Sequence, residues 1–164
     1  MKIKLHKDVN QRKILTPQME TYDNLGVKWH PYIIFFQKPN YSFRIVNTDQ
    51  FGFRFNQINK DKYSPLSDFN KSKKELSFLV DSSAVFGVLA TNDSNTISSK
   101  VSKETSNTFL NFGCRAHVSS QELILFSQIS PRFEKIKNVI IFSGLNDLYI
   151  SFLRNHSSEL GPFF

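Results

Sequence analysis

A single cysteine, Cys114, stands in 164 residues, which excludes an intramolecular disulfide and any cysteine-rich zinc site. Histidine is nearly as scarce. His6 and His30 have no partner at metal-ligand spacing, and no metal or other cofactor is expected. No apolar run approaches the roughly 20 residues that cross a bilayer. The start, MKIKLHKD, has charge but no apolar segment behind it, so no signal peptide is visible and a cytoplasmic location is expected. Neither common glycine-rich phosphate loop occurs, and low-complexity tracts and internal repeats are missing.

What is there is packing material. The chain is 40% hydrophobic and carries 17 Phe against one Trp, enough for one core at this length. Its charge of +7 is unevenly placed: residues 1–75 hold 14 Lys/Arg and 7 Asp/Glu, residues 76–164 hold 7 and 7. Such a basic segment suits nucleic acid, anionic lipid, an acidic polysaccharide or solvent alone. Aromatics interleaved with Lys and Arg between Trp29 and Arg54 superficially suit base stacking. Alternation in a strand explains the same pattern, and nucleic acid is not the expected partner.

Three parts are expected. Residues 1–28 read as an extended basic arm. Residues 29–75 read as an aromatic-rich lead-in with short strands: Tyr32–Phe36, an alternating Tyr41, Phe43, Ile45, and Phe51–Arg54, followed by a surface loop over 56–75. Residues 76–164 read as an α/β layer. Leu76–Val80, Thr108–Phe112 and Val139–Phe142 are short apolar runs of the type buried inside parallel sheets. Between them, Asn92-Asp93 can cap a helix that turns Ile97 and Val101 inward. Ser119-Ser120-Gln121-Glu122 fits a capping box, opening a helix with Leu123 and Phe126 on its stripe until Pro131. A last helix opens at Leu145-Asn146-Asp147, with Leu148 and Phe152 inward. Strands about 30 residues apart with helices between them predict βαβ units.

Parallel winding puts three strand ends on one edge: Ser83, the Gly113–Ala116 turn and Asn146. Here the chain resembles the SGNH (GDSL-like) hydrolases, a superfamily of serine esterases and acylhydrolases. Asp81-Ser82-Ser83-Ala84-Val85-Phe86-Gly87 is similar to the nucleophile block, and its serine-to-glycine spacing selects Ser83. Asn111-Phe112-Gly113-Cys114-Arg115-Ala116, followed by Ser119-Ser120-Gln121-Glu122-Leu123, resembles the second block. Gly144-Leu145-Asn146-Asp147 matches the third, Gly-x-Asn-Asp. The lead-in around Pro39–Tyr41 and Val46–Arg54 resembles that of bacterial members.

The resemblance implies a three-layer α/β/α flavodoxin-like fold. Ser83 would attack an O-acyl ester, of a small molecule or as an O-acetyl group on a saccharide. The Ser83 and Ala116 N–H groups and the Asn146 amide would hold the oxyanion. Gly87, Gly113, Gly144 and Asp147 would support them. The chain departs from the pattern at Ser82, which stands for Gly or Asp, and at Ala116, which stands for a glycine and would be strained at positive φ. The family's Asp-x-x-His is missing, and two of its five strands would lie beyond Phe164. The expectation is therefore the N-terminal half of such a hydrolase or a shortened relative. Its alternatives are an inactive remnant that binds or self-associates through an open sheet edge, and a basic anion-binding module. His117 is a weak substitute base, and Cys114 reads as a small buried apolar residue.

Overall fold

The computed structural model describes residue 11 and residues 14–66, 76–105 and 107–153. At its centre is β5 (Leu76–Asp81), buried at every position. It pairs in parallel with β6 (Thr108–Gly113) on one side and β7 (Ile136–Ile141) on the other, in the order β6-β5-β7. Register with β6 runs without a break from Leu76↔Thr108 to Asp81↔Gly113, whereas that with β7 shifts between Leu76 and Ser77.

β5 and β6 are covered on both faces. On one, Phe78, Val80, Leu110 and Phe112 pack against Leu125 and Ile129 of α4 (Ser119–Ile129) and against Ile33, Phe36 and Phe53 of the lead-in. Rings interlock edge-on or tilted: Phe78 lies 4.5 Å from Phe112 and 4.8 Å from Phe133, and Phe53 lies 5.6 Å from Phe112. On the other face, Leu79 and Phe109 meet Val85 of the short helix α2 (Ser83–Phe86) and Val101 of α3 (Ile97–Glu104). A mixed α/β domain around a three-stranded parallel sheet is what the three apolar runs predict.

Ahead of the sheet lie α1 (Met19–Asn24), the hairpin β1 (Val27–His30) with β2 (Ile34–Gln37), and the hairpin β3 (Asn56–Ile58) with β4 (Asp61–Tyr63). Several expectations are corrected here. The 1–28 segment is not extended throughout, because α1 buries Tyr22 against Leu25, Ile45, Val46 and Phe86. The strand expected at Tyr32–Phe36 begins at Ile34, after a turn with Tyr32 and Ile34 at left-handed φ of 69° and 68°. Tyr41–Ile45 forms single bridges in place of a strand. Residues 56–63 are a hairpin with Asn56 and Tyr63 buried; the rest of that expected loop, 67–75, lies outside the described residues.

The helices also turn differently. Thr96, not Asn92, caps α3, accepting from Ser99 N at 3.2 Å. The buried face of α3 is Ser98, Ser99 and Ser102, while Ile97 is exposed. Those hydroxyls are all engaged: Ser98 donates to Asn56 Oδ1 at 2.7 Å, Ser99 accepts from Gln57 N at 3.0 Å, and Ser102 accepts from Phe109 N at 2.8 Å. A polar face can be buried when each group finds a partner. On α4 the box closes one residue earlier, the Val118 N–H donating to Gln121 Oε1, and Leu123 points to solvent while Gln121 and Glu122 are buried. β7 and α5 (Leu145–Leu153) were both expected inside. They are exposed, with Ile141 at 67% and Phe152 at 74%: the clusters packed on the two faces of the sheet reach β7 only at Ile136 and include nothing from α5 among the described residues.

Candidate active site

Strand order reverses at β5: the chain leaves it toward β6 and later returns on its other flank as β7. Crevices open at the C-terminal ends of strands where this happens. The described residues place one there. A cleft of about 690 Å³ is walled by Asp81–Ala84 from the β5 end, Val88 and Leu89, and Ile141–Ser143, Leu145 and Asn146 from the β7 end.

Ser83 reaches this cleft through a sharp strand-to-helix turn. Ser82 sits at φ −87°, ψ −117°, outside the regular regions. Below it the Asp81 carboxylate accepts the amides of Ala84 and Val85, both at 3.1 Å, which holds the first turn of α2. Gly87 closes α2 at φ 85°, and its N–H donates to the Ser83 and Ala84 carbonyls. A side chain there would also strike Thr96 Cγ2 at 2.8 Å.

The second strand end comes equally close. Ala116 N lies 3.5 Å from Ser83 Oγ, and Ala116 adopts φ 61°, the strained conformation expected of an alanine at that position. What holds it is Arg115. Its guanidinium donates to Gln37 Oε1 at 2.7 Å and to the Tyr22 and Leu25 carbonyls, so the turn is tied to the lead-in. Asn146, on the third strand end, donates from Nδ2 to the His117 carbonyl at 2.7 Å. An amide nitrogen has two hydrogens, so this bond orients the group and leaves one donor. Ser83, Ala116 and Asn146 thus come together on one rim.

The supporting residues divide. Asp147 accepts from Ser119 N and Oγ, the latter at 2.6 Å, so it caps α4 and ties it to α5. Gly113 lies under the backbone of α2. Gly144, at φ 107°, has open space around it. Cys114 is buried beside Gln37 Nε2, and burial pushes its thiol up to about 12, so it is no nucleophile. His117 is buried with its ring against Phe35 and Phe36, and Nε2–H donates to the Phe35 carbonyl at 2.8 Å. Burial lowers its pKa, and its ring is committed to the lead-in core, not to Ser83. His30 bonds the Pro31 carbonyl; His6 and His156 lie outside the described residues. No group of His, Cys, Asp or Glu among the described residues is arranged to hold a metal, and no described helix is long and apolar enough to cross a membrane.

Motif reading did not find the apolar wall of Val88, Leu89, Ile141, Phe142 and Leu145, nor that the Glu122 carboxyl is buried. The apolar end of the third strand was the available signal for part of that wall. The basic excess is also partly internal: Arg54 is fully buried and Arg115 half-buried, so both serve packing. Neither a scan of protein-family models nor a search of curated proteins finds a match to this chain.

Proposed function

We propose that the Ser83 cleft is an acyl-transfer site, and that the chain is a serine ester hydrolase of the SGNH type acting on an O-acyl ester, with a saccharide O-acetyl group as one such substrate. The observation that supports it most is the 3.5 Å approach of Ala116 N to Ser83 Oγ on a rim shared with Asn146. Ser83 Oγ attacks the ester carbonyl carbon, and the negative charge passes to the carbonyl oxygen. The Ala116 N–H and the second Asn146 hydrogen stabilise that charge from fixed positions, which is why such donors act more strongly than water. Collapse breaks the ester C–O bond, the alcohol leaves with the proton that Ser83 Oγ gave up, and the acyl-serine that remains is hydrolysed by water. The apolar wall from Ile141, Phe142 and Leu145 suits the acyl chain.

Hydrolysis of a small activated acetate ester tests this reading. Ser83→Ala should abolish turnover, and Asn146→Ala should lower kcat by roughly 100- to 1,000-fold, as for other oxyanion donors. Turnover that survives in Ser83→Ala ends the assignment.

A second reading, self-association, has its own observation. Val139, Ile140, Ile141 and Phe142 on the open sheet edge and Leu145, Leu148, Tyr149 and Phe152 on α5 are all exposed. An unprotected edge beside apolar surface favours strand pairing between copies. Sedimentation velocity should then show a dimer that Ile140→Lys returns to monomer; a monomer across all concentrations rules this reading out.

A further inference from the structure

The lead-in carries an exposed apolar surface that the Ser83 cleft does not use. β1 is the outer strand of its hairpin and is open on both faces: Val27 and Trp29 alternate with Lys28, and all three are exposed, Trp29 at 72%. β2 is the inner strand, with Phe36 and Gln37 buried. At the turn between them Tyr32 and Ile34 face water, while Ile33 is wholly buried. Both flanking residues sit at left-handed φ, where a β-branched side chain such as Ile34 is strained. Glycine or asparagine would make the same turn with less strain, so the turn alone does not account for two large exposed side chains.

A second element extends this surface. Trp29 and the exposed Phe51 border the same hollow of about 400 Å³. The Phe51 turn is rigid, because the buried Asp49 carboxylate accepts the N–H groups of Phe51, Gly52 and Phe53 at 2.9, 2.9 and 3.0 Å. Gly52, at φ 108°, lets the turn lie directly on β2, since a Cβ there would run into the Gln37 carbonyl. The charge around these residues is of one sign. From Gly26 to Phe53 the exposed charges are Lys28, Lys38 and Arg44, none in an ion pair among the described residues, and the single acid is the buried Asp49. Lys38 is held beside the hairpin, its N–H donating to the Gly26 carbonyl at 3.0 Å.

We propose that the β1–β2 hairpin and the Phe51 turn form a docking surface for an anionic lipid bilayer. The chemistry of the surface selects this occupant. An indole and a phenol settle at the headgroup level, where one end of the ring is apolar and the other wet. Lys28 and Lys38 meet anionic headgroups without a carboxylate nearby in that stretch to repel them. Val27 and Ile34 are aliphatic: they gain by leaving water among acyl chains but have no ring to stack on a base. A strand open on both faces is enveloped at once by a fluid layer, whereas a rigid partner covers one face. The contact is peripheral, with the hairpin lying in the interface. It does not depend on Ser83 being a nucleophile.

Trp29 is the only tryptophan in the chain, so its fluorescence reports on this surface directly. The full chain is titrated with vesicles of mixed phosphatidylcholine and phosphatidylglycerol, and with vesicles of phosphatidylcholine alone. With the anionic vesicles, Trp29 emission should move to shorter wavelength, acrylamide should quench it less, and the protein should sediment with the lipid. Lys28→Gln with Lys38→Gln should weaken the partition roughly 30-fold, about fivefold for each lysine at the surface, and added salt should weaken it in the same direction. Trp29→Ser should reduce co-sedimentation roughly tenfold or more, with the melting temperature of the wild type because the ring is exposed. Ser83→Ala should bind as the wild type does. Emission unchanged by either vesicle overturns the proposal. So does a shift that single-stranded RNA produces and anionic vesicles do not, which assigns the surface to nucleic acid. A shift on concentrating the protein alone assigns it to a second copy and overturns the proposal equally. Binding to neutral vesicles that is as strong, and indifferent to salt and to the two lysines, overturns the anionic headgroup as the partner.

Discussion

Arg54→Met should unfold the protein or lower its stability by about 3–5 kcal/mol, the usual consequence of removing one partner from a buried ion pair. Arg54 is wholly buried, and its guanidinium is bonded in every direction. Nε donates to Asp93 Oδ1 at 3.1 Å, Nη1 to Tyr22 Oη, Phe86 O and Gly87 O at 2.9, 3.1 and 2.8 Å, and Nη2 to Ile45 O at 2.8 Å. Methionine fills much of the volume but removes the charge that balances buried Asp93, whose other donor is Asn47, and takes the guanidinium donors from the Phe86 and Ile45 carbonyls. Lys62, 3.7 Å from Asp93 and itself largely exposed, offsets only part of this. At this chain length the loss corresponds to a Tm drop of about 10 °C. Arg54→Met with Asp93→Leu, which removes both charges, should recover part of it. A single variant that melts within a degree of the wild type would show that Arg54 does not hold the lead-in to α2.

The second large effect should come from Gly113→Ala. A Cβ at Gly113 would lie 2.0 Å from Phe86 N and 2.6 Å from Phe86 Cα and Val85 C. These are backbone atoms of α2 and cannot rotate aside, so the helix must leave the sheet. Overpacking usually costs about 1–3 kcal/mol, and here the upper end or beyond is expected because no side chain can yield. α2 begins at Ser83, so the proposed esterase activity should fall with stability. Gly144→Ala is the matching control. Its Cβ meets nothing within 4 Å, and only the cost of its positive φ remains, about 1 kcal/mol. Urea denaturation of the two variants separates collision from backbone strain; equal losses would mean that α2 does not rest on Gly113.

Legibility tracked the range of the interaction. β5 and β6 could be read because burial on both faces leaves a run dominated by apolar residues, Phe78-Leu79-Val80 and Phe109-Leu110 with Phe112, whatever packs on them. The rim residues were legible through the resemblance to the SGNH blocks, whose serine-to-glycine spacing selects Ser83, and the strain expected of Ala116 at a glycine position is present. Exposure could not be read. Val139–Phe142 is as apolar as the two buried strands, yet it is exposed because the clusters packed on the two faces of the sheet reach β7 only at Ile136 among the described residues. The face of α3 was misjudged because its serines are satisfied by Asn56, Gln57 and Phe109, partners up to 42 residues away.

The linear order of residues determined the three strands of the central sheet and their parallel course, because their apolar runs and the helices between them are written in neighbouring residues. Only the folded chain decided that Arg54 and Arg115 point inward, that His117 spends its ring on the lead-in core, and that the Glu122 carboxyl is buried. Burial and charge are shared properties of groups distant in sequence, and they acquire values only once those groups are brought together.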